Sequence, residues 1–209
     1  SGNVSNALTY GTTHPYGEIT NESTVSNISL EDCKNYYNTY FKPGNAYLVI
    51  VGDITPEAAK TKAEKYFGSW PAGKTPEYEY AFPKGVDNTS VAFIDKSGAV
   101  QSVINITYAL DLKPGAPDVI PARVMNTILG SGFSGRLFKN LREDKAYTYG
   151  AYSSLDDDEL VGNFSANASV RNEVTDSAIT QFFLELDKLR NEPVSQEELD
   201  LAKSFIAGG

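Results

Sequence analysis

The apolar and polar positions along this 209-residue chain change period several times. Residues 1–28 show no helical or strand period; Ser, Thr, Asn and Gly dominate, and the pattern predicts loop. At Ser29 it turns helical. Ser29 can cap a helix with Asp32 three residues on, and Ile28 can staple against Cys33. Tyr36, Tyr37, Tyr40 and Phe41 then fall on one stripe before Pro43-Gly44 stops it. Residues 46–51 form a continuous apolar run, the pattern of a short buried strand. Thr55-Pro56 opens another helix, with Ala59, Ala63, Tyr66 and Phe67 inward.

From Gly68 to Asn88 the pattern dissolves into Pro71, Gly73, Pro76, Pro83 and Gly85 with Tyr78, Tyr80 and Phe82 between them. This reads as a linker lying across a surface. Beyond it, residues 91–95 and 102–110 read as strands, the second alternating Ile104, Ile106, Tyr108 and Leu110 against Asn105 and Thr107. Ile120, Val124 and Ile128 mark a helix ending at Gly130. Residues 147–154 and 161–170 suggest a hairpin whose tip, Asp156 to Glu159, reads as a solvated turn. A long helix follows with Ala178, Ile179, Phe182, Phe183, Leu186 and Leu189 on one face. A last helix opens on a Ser195–Glu198 capping box, with Val194 against Leu199. The expected class is α+β, helices packed on mostly antiparallel sheets.

Composition narrows the chemistry. Apolar residues make up 41% and charged residues 22%, enough for a core. The net charge of −9 argues against nucleic acid as a partner. No apolar run approaches the ~20 residues that span a bilayer. One histidine, His14, and one cysteine, Cys33, exclude an internal disulfide and a Cys/His zinc cage. Cys33 reads as a small hydrophobe, compatible with a reducing cytosol or an oxidising periplasm. Residues 1–5 lack the charged and apolar regions of a signal peptide, so no compartment is readable from them.

Three motifs have the right letters in the wrong context. Gly68, Gly73, Lys74 and Thr75 spell a phosphate-loop pattern, but a helix precedes it and Pro76 follows, where the cradle needs a strand before and a helix after. Gly130, Gly132 and Gly135 spell G-x-G-x-x-G after a helix rather than a strand, which reads as a glycine-rich helix–helix turn. His14, with only Glu18 and Glu22 near it in sequence, cannot complete a zinc site.

Residues 137–150 carry more chemistry. They pass from a helix into a strand and place a guanidinium, Arg142, and a phenol, Tyr149, seven residues apart across the junction. Both are donors of the kind that can bind a scissile carbonyl and its developing oxyanion. An Arg in a surface ion pair and a Tyr in the core would fit the same letters.

This stretch, with Leu129-Gly130-Ser131-Gly132 and Ser134-Gly135-Arg136-Leu137-Phe138 before it, resembles the second domain of the insulinase-like (pitrilysin-type) zinc metallopeptidases. Tyr36 to Asn45 and Val49 to Asp53 resemble the end of that family's first domain, and His14-Pro15-Tyr16-Gly17 its upstream loop. The resemblance implies the fold of the mitochondrial processing peptidase and insulinase type. It also implies that Arg142 and Tyr149 bind the substrate carbonyl. Ala146 and Tyr147 stand where the family usually has Gly and Leu. Since Tyr147 lies two residues from Tyr149, either phenol could face substrate.

The family's H-x-x-E-H motif is missing, so the resemblance implies no catalytic or metal residue here and no cofactor. Zinc is expected in a missing upstream domain, in the same chain or a partner subunit, with a peptide as substrate. The expected division is 1–70 for the end of the first domain, 71–89 for the linker, and 90–209 for the second domain, truncated at its C-terminus. The alternatives are a non-catalytic scaffold or partner subunit of the same fold and, more remotely, a nucleotide-binding protein using 68–75.

Overall fold

The computed structural model describes residues 2–86 and 88–208. Ser1, Asp87 and Gly209, which fall within the three expected segments, lie outside the described residues. Contacts divide the chain into two compact units: residues 20–79, and residues 2–19 together with 80–208.

In the first unit, α2 (Glu22–Ser26), α3 (Leu30–Tyr40) and α4 (Pro56–Phe67) follow α1 (Gly2–Tyr10) of the other unit in chain order. The cap read at Ser29 is present. Its hydroxyl accepts the Asp32 N–H at 3.2 Å, and Asp32 Oδ2 accepts the Ser29 N–H at 2.8 Å. An Asn21–Thr24 box starts α2 in the same way. On the aromatic stripe of α3, Tyr36 and Tyr37 are exposed and each touches Phe41. On α4, Tyr66 and Phe67 are not inward as expected but 69% and 50% exposed. The strand expected over 46–51 is also absent. Tyr47, Val49 and Val51 are 99%, 80% and 91% exposed. A strand forms only against a partner ladder, and this unit supplies none among its described residues.

The second unit contains the core. The strands β1 (Gln101–Leu110), β2 (Thr148–Asp156) and β3 (Gly162–Arg171) make a sheet in the order β1-β3-β2, antiparallel throughout. β1 pairs with β3 from Gln101–Arg171 to Leu110–Gly162 without a break. On one face, Ile104, Phe164, Ala166, Ala168 and Val170 are buried against Leu129, Leu137, Leu141, Ala178 and Phe182. Those residues come from α5 (Val119–Leu129), α6 (Arg136–Phe138) with its continuation over Lys139–Asp144, and α7 (Thr175–Asn191). The final helix, α8 (Gln196–Gly208), is tied to α6 by a two-bond ion pair between Arg136 and Glu198, at 2.7 and 2.9 Å.

Several expectations need correction. Residues 91–95 pair with nothing among the described residues, and Val91 and Phe93 are 85% and 86% exposed, so that apolar run is not a strand. In α5 Val119 rather than Ile120 turns inward. Residues 2–28 are not loop, for α1, a 3₁₀ turn over Pro15–Gly17 and α2 occupy them. Tertiary contact outweighs weak propensity here. Thr9 of α1 bonds Thr107 of β1 at 2.6 Å, on the sheet face opposite the core. The Tyr16 hydroxyl donates to Asp158 at 2.9 Å. His14 is buried among the rings of Tyr10, Tyr16 and Tyr80. The acidic tip is more than a solvated turn: Asp158 also accepts the N–H groups of Leu160 and Val161, and Asp157 pairs with Arg123 at 2.8 Å.

Candidate functional site

The junction between α6 and β2 is built from three local departures from regular structure. The first is the glycine turn over 130–135. The Ser153 N–H donates to the Gly130 carbonyl at 2.9 Å, bringing the turn backbone onto β2. A Cβ at Gly130 would lie 2.8 Å from the Ser153 nitrogen, and one at Gly135 would lie 2.7 Å from the Gly130 Cα. These glycines are there for close packing between a helix–helix turn and a strand. Gly132, with nothing within 4 Å of a Cβ, is not. Residues 68–75, likewise, follow α4 and lead into irregular chain without a helix behind them.

The second departure is a π-helical turn over Lys139–Asp144, in which the Lys145 N–H reaches the Asn140 carbonyl at 3.0 Å. It ends at Ala146, whose φ of 51° is left-handed, as the Tyr147 N–H closes back on the Leu141 carbonyl at 2.9 Å. That is a conformation glycine adopts without a steric penalty. Arg142 lies in the π turn. It is exposed, and its guanidinium carbon sits 4.9 Å from the centre of the Phe138 ring, one turn before it. It makes no ion pair or hydrogen bond through its side chain among the described residues.

The third is a β-bulge at the start of β2. Thr148 pairs with Val170 and Ala151 with Ala168, so three steps on β2 face two on β3. The Thr148 hydroxyl accepts the Gly150 N–H at 3.1 Å, and its proton is shared by the carbonyls of Ser169 at 2.7 Å and Gly150 at 2.9 Å. In an unbroken strand Tyr147 and Tyr149 would lie on the same face as Ala151 and Ser153. Ala151 and Ser153 are buried and Tyr147 packs against the core, but the extra residue turns Tyr149 outward, to 85% exposure. The two phenols therefore part company, and Tyr149 is the one facing solvent. Its hydroxyl has no partner among the described residues.

Tyr149 rims an open depression of about 370 Å³ on the outer face of the sheet. Thr148, Gly150, Tyr152, Asn167, Ser169 and Gln101 also line it. None of these side chains is charged. The Tyr152 ring lies 5.8 Å from Phe138, the ring that carries Arg142. Phe138 and Tyr152 are residues the sequence reading passed over. The four-residue spacing from Phe138 to Arg142, which stacks side chains on a helix, was a signal for the first. Gly150 within a strand was the signal for the bulge that brings in the second.

Among the described residues no three His, Cys, Asp or Glu side chains gather as a metal site. The donor set at the junction is a guanidinium and phenols, which fits binding of an oxygen acceptor rather than of a cation. No helix among the described residues is long and apolar enough to cross a membrane.

Comparison with known proteins agrees with this architecture. A zinc protease of Bacillus subtilis, YmxG, described as uncharacterized, is 25% identical over 197 residues, covering 92% of this chain and 46% of its own length. An uncharacterized zinc protease of Rickettsia felis is 28% identical over 190 residues, covering 88% of this chain and 43% of its own. The chain thus spans about half the length of the curated relatives it matches. Among solved structures, the peptidase M16 inactive domain from Pseudomonas fluorescens superposes with a TM-score of 0.83 at 25% identity, over 99% of this chain and 50% of that one. A protease from Helicobacter pylori shares the fold, with a TM-score of 0.82 at 22% identity over 93% of this chain and 48% of that one. The family model described as the peptidase M16 inactive domain matches residues 27–205, and this chain belongs to that family.

Proposed function

We propose that this chain is the substrate-binding, non-zinc portion of an insulinase-like peptidase, and that Arg142 and Tyr149 donate hydrogen bonds to the carbonyl of a bound peptide. The observation that carries this reading is that both donors are unspent. An Arg kept for a surface ion pair would have a carboxylate beside it, and a Tyr kept for the core would be buried. Arg142 instead rests on the Phe138 ring without an ionic partner among the described residues, and Tyr149 is 85% exposed on a bulge. Maintaining a bulge and a π turn side by side, both common next to functional sites, supports the same reading.

The chemistry assigned to this chain is binding and charge stabilisation. Water activation belongs to an H-x-x-E-H domain expected upstream, in the same protein or a partner subunit, and no step on this chain runs through a metal. The division into the end of a first domain (1–70), a linker (71–89) and a second domain (90–209) is part of the proposal, with residues 2–19 packed onto the second. In the full-length protein, Arg142→Ala is expected to lower kcat/KM for a quenched fluorescent peptide by about 10²–10³-fold, the loss typical of one oxyanion donor. Unchanged kcat/KM would refute the role.

A second reading is a non-catalytic scaffold or partner subunit. Two relatives favour it: a Helicobacter pylori protein described as a non-peptidase homolog, 22% identical over 187 residues, and a Bacillus subtilis protein described as a probable inactive metalloprotease, 23% identical over 204. An H-x-x-E-H domain in the full-length protein or in a co-purifying subunit, with zinc-dependent hydrolysis of a quenched fluorescent peptide, separates the two: its presence supports the first reading and its absence the second.

A further inference from the structure

Residues 149 and 152 are an odd number of positions apart, so in a regular strand they would point to opposite faces of the sheet. The bulge between Thr148 and Ala151 removes that opposition. Tyr149 and Tyr152 line the same depression, together with Asn167 and Ser169 of the outer face of β3. Three features make Tyr152 more than a neighbour. Its ring is braced from behind by Phe138 at 5.8 Å. It lies across Gly150 so closely that a Cβ there would meet its Cε2 at 2.6 Å and its hydroxyl oxygen at 2.8 Å. That hydroxyl has no hydrogen-bond partner among the described residues.

We propose that Tyr152 is a second peptide-binding phenol of this site, and that the bulge exists in part to place it beside Tyr149. The inference rests on the reading of Tyr149 given above. A peptide whose carbonyl is held by Tyr149 runs across the depression, and Tyr152 donates to a further backbone oxygen of the same chain. Gln101, Asn167 and Ser169 add neutral amide and hydroxyl groups to the lining, which suits a peptide backbone rather than a charged group. Phe138 then serves both donors that flank it, Arg142 by its ring face and Tyr152 by ring contact.

The test is a fluorescence-anisotropy titration of a fluorescein-labelled, short, uncharged peptide of Ala, Ser and Leu into the full-length protein and its Tyr147→Phe, Tyr149→Phe and Tyr152→Phe variants. Each of these keeps its ring, so folding and stacking survive and only a hydroxyl is lost. Tyr152→Phe and Tyr149→Phe are each expected to raise Kd about three- to tenfold, and Tyr147→Phe to leave it unchanged. If Tyr149→Phe weakens binding while Tyr152→Phe matches wild type, the second phenol is refuted and the first stands. If neither changes Kd, the reading of Tyr149 falls and this inference with it. A Gly150→Ala variant checks the geometry independently. Its methyl must displace the Tyr152 ring, so it should weaken binding as Tyr152→Phe does, and unaltered binding would count against the placement.

Discussion

The hydroxyl of Thr148 accepts the backbone N–H of Gly150 at 3.1 Å, and this short loop of bonds pins the bulge that turns Tyr149 out of the core. Thr148→Val removes the hydroxyl but keeps the β-branched shape. Amide exchange at Gly150 is expected to accelerate, while Ser153, whose N–H is held by the Gly130 carbonyl, keeps its protection. Stability should fall by about 1 kcal/mol, the worth of one net hydrogen bond. Equal protection of Gly150 in the variant would show that the bulge does not depend on Thr148.

Ala146 occupies a left-handed conformation at φ 51° where the π turn ends. A side chain there costs about 1–2 kcal/mol, part of which glycine returns through its greater freedom in the unfolded chain. Ala146→Gly is therefore expected to stabilise the protein by about 0.5–1 kcal/mol. The check is a rise in urea midpoint at constant slope. A fall in midpoint would contradict the conformation.

The glycine turn predicts a contrast. Gly130→Ala drives a methyl into the Ser153 backbone and the Leu137 side chain, and should cost about 1–3 kcal/mol as overpacking does. Gly132→Ala, in open space, should be near neutral. Thermal unfolding of the two variants reads the difference directly. Equal tolerance at both positions would mean the turn is not a packing device.

The Arg136–Glu198 pair carries a pH signature. The Arg136 guanidinium, helped by the Ser195 N–H and hydroxyl, holds Glu198 down to about 2 from the ordinary 4.5. A carboxylate depressed on folding adds stability above its unfolded value, and that stability drains away as pH falls from 4.5 towards 2. With Glu198 partly solvated, the loss is about 1–2 kcal/mol rather than the full shift. Glu198→Gln should flatten this part of the stability–pH curve, measured as urea midpoints across the window. A variant curve parallel to wild type would remove Glu198 as its source.

The helices with good caps were legible in the sequence, as were the β2–β3 hairpin and the core face of β3. Ser29 with Asp32 and the alternation of Phe164, Ala166, Ala168 and Val170 depend on neighbours close along the chain. The apolar runs at 46–51 and 91–95 misled because their pattern demands a pairing with another strand, and among the described residues neither run pairs with one. Residues 2–19 misled in the opposite way: nothing local marks α1, and distant contacts such as Thr9 with Thr107 support it. At the candidate site, the family resemblance singles out Arg142 and Tyr149 and leaves Tyr147 as the alternative to Tyr149. Only the extra residue of the bulge, invisible to a period-two reading, separates the two phenols.

The central claim is that Arg142 and Tyr149 bind peptide, and a direct binding titration tests it without requiring hydrolysis. Isothermal calorimetry of an unlabelled peptide of Ala, Ser and Leu against full-length wild type, Arg142→Ala and Arg142→Lys is the measurement. Arg142→Ala should weaken binding about tenfold or more, and Arg142→Lys should recover only part of it, since an ammonium lacks the planar fork and stacks less well on Phe138. Identical affinities for all three proteins would contradict the claim.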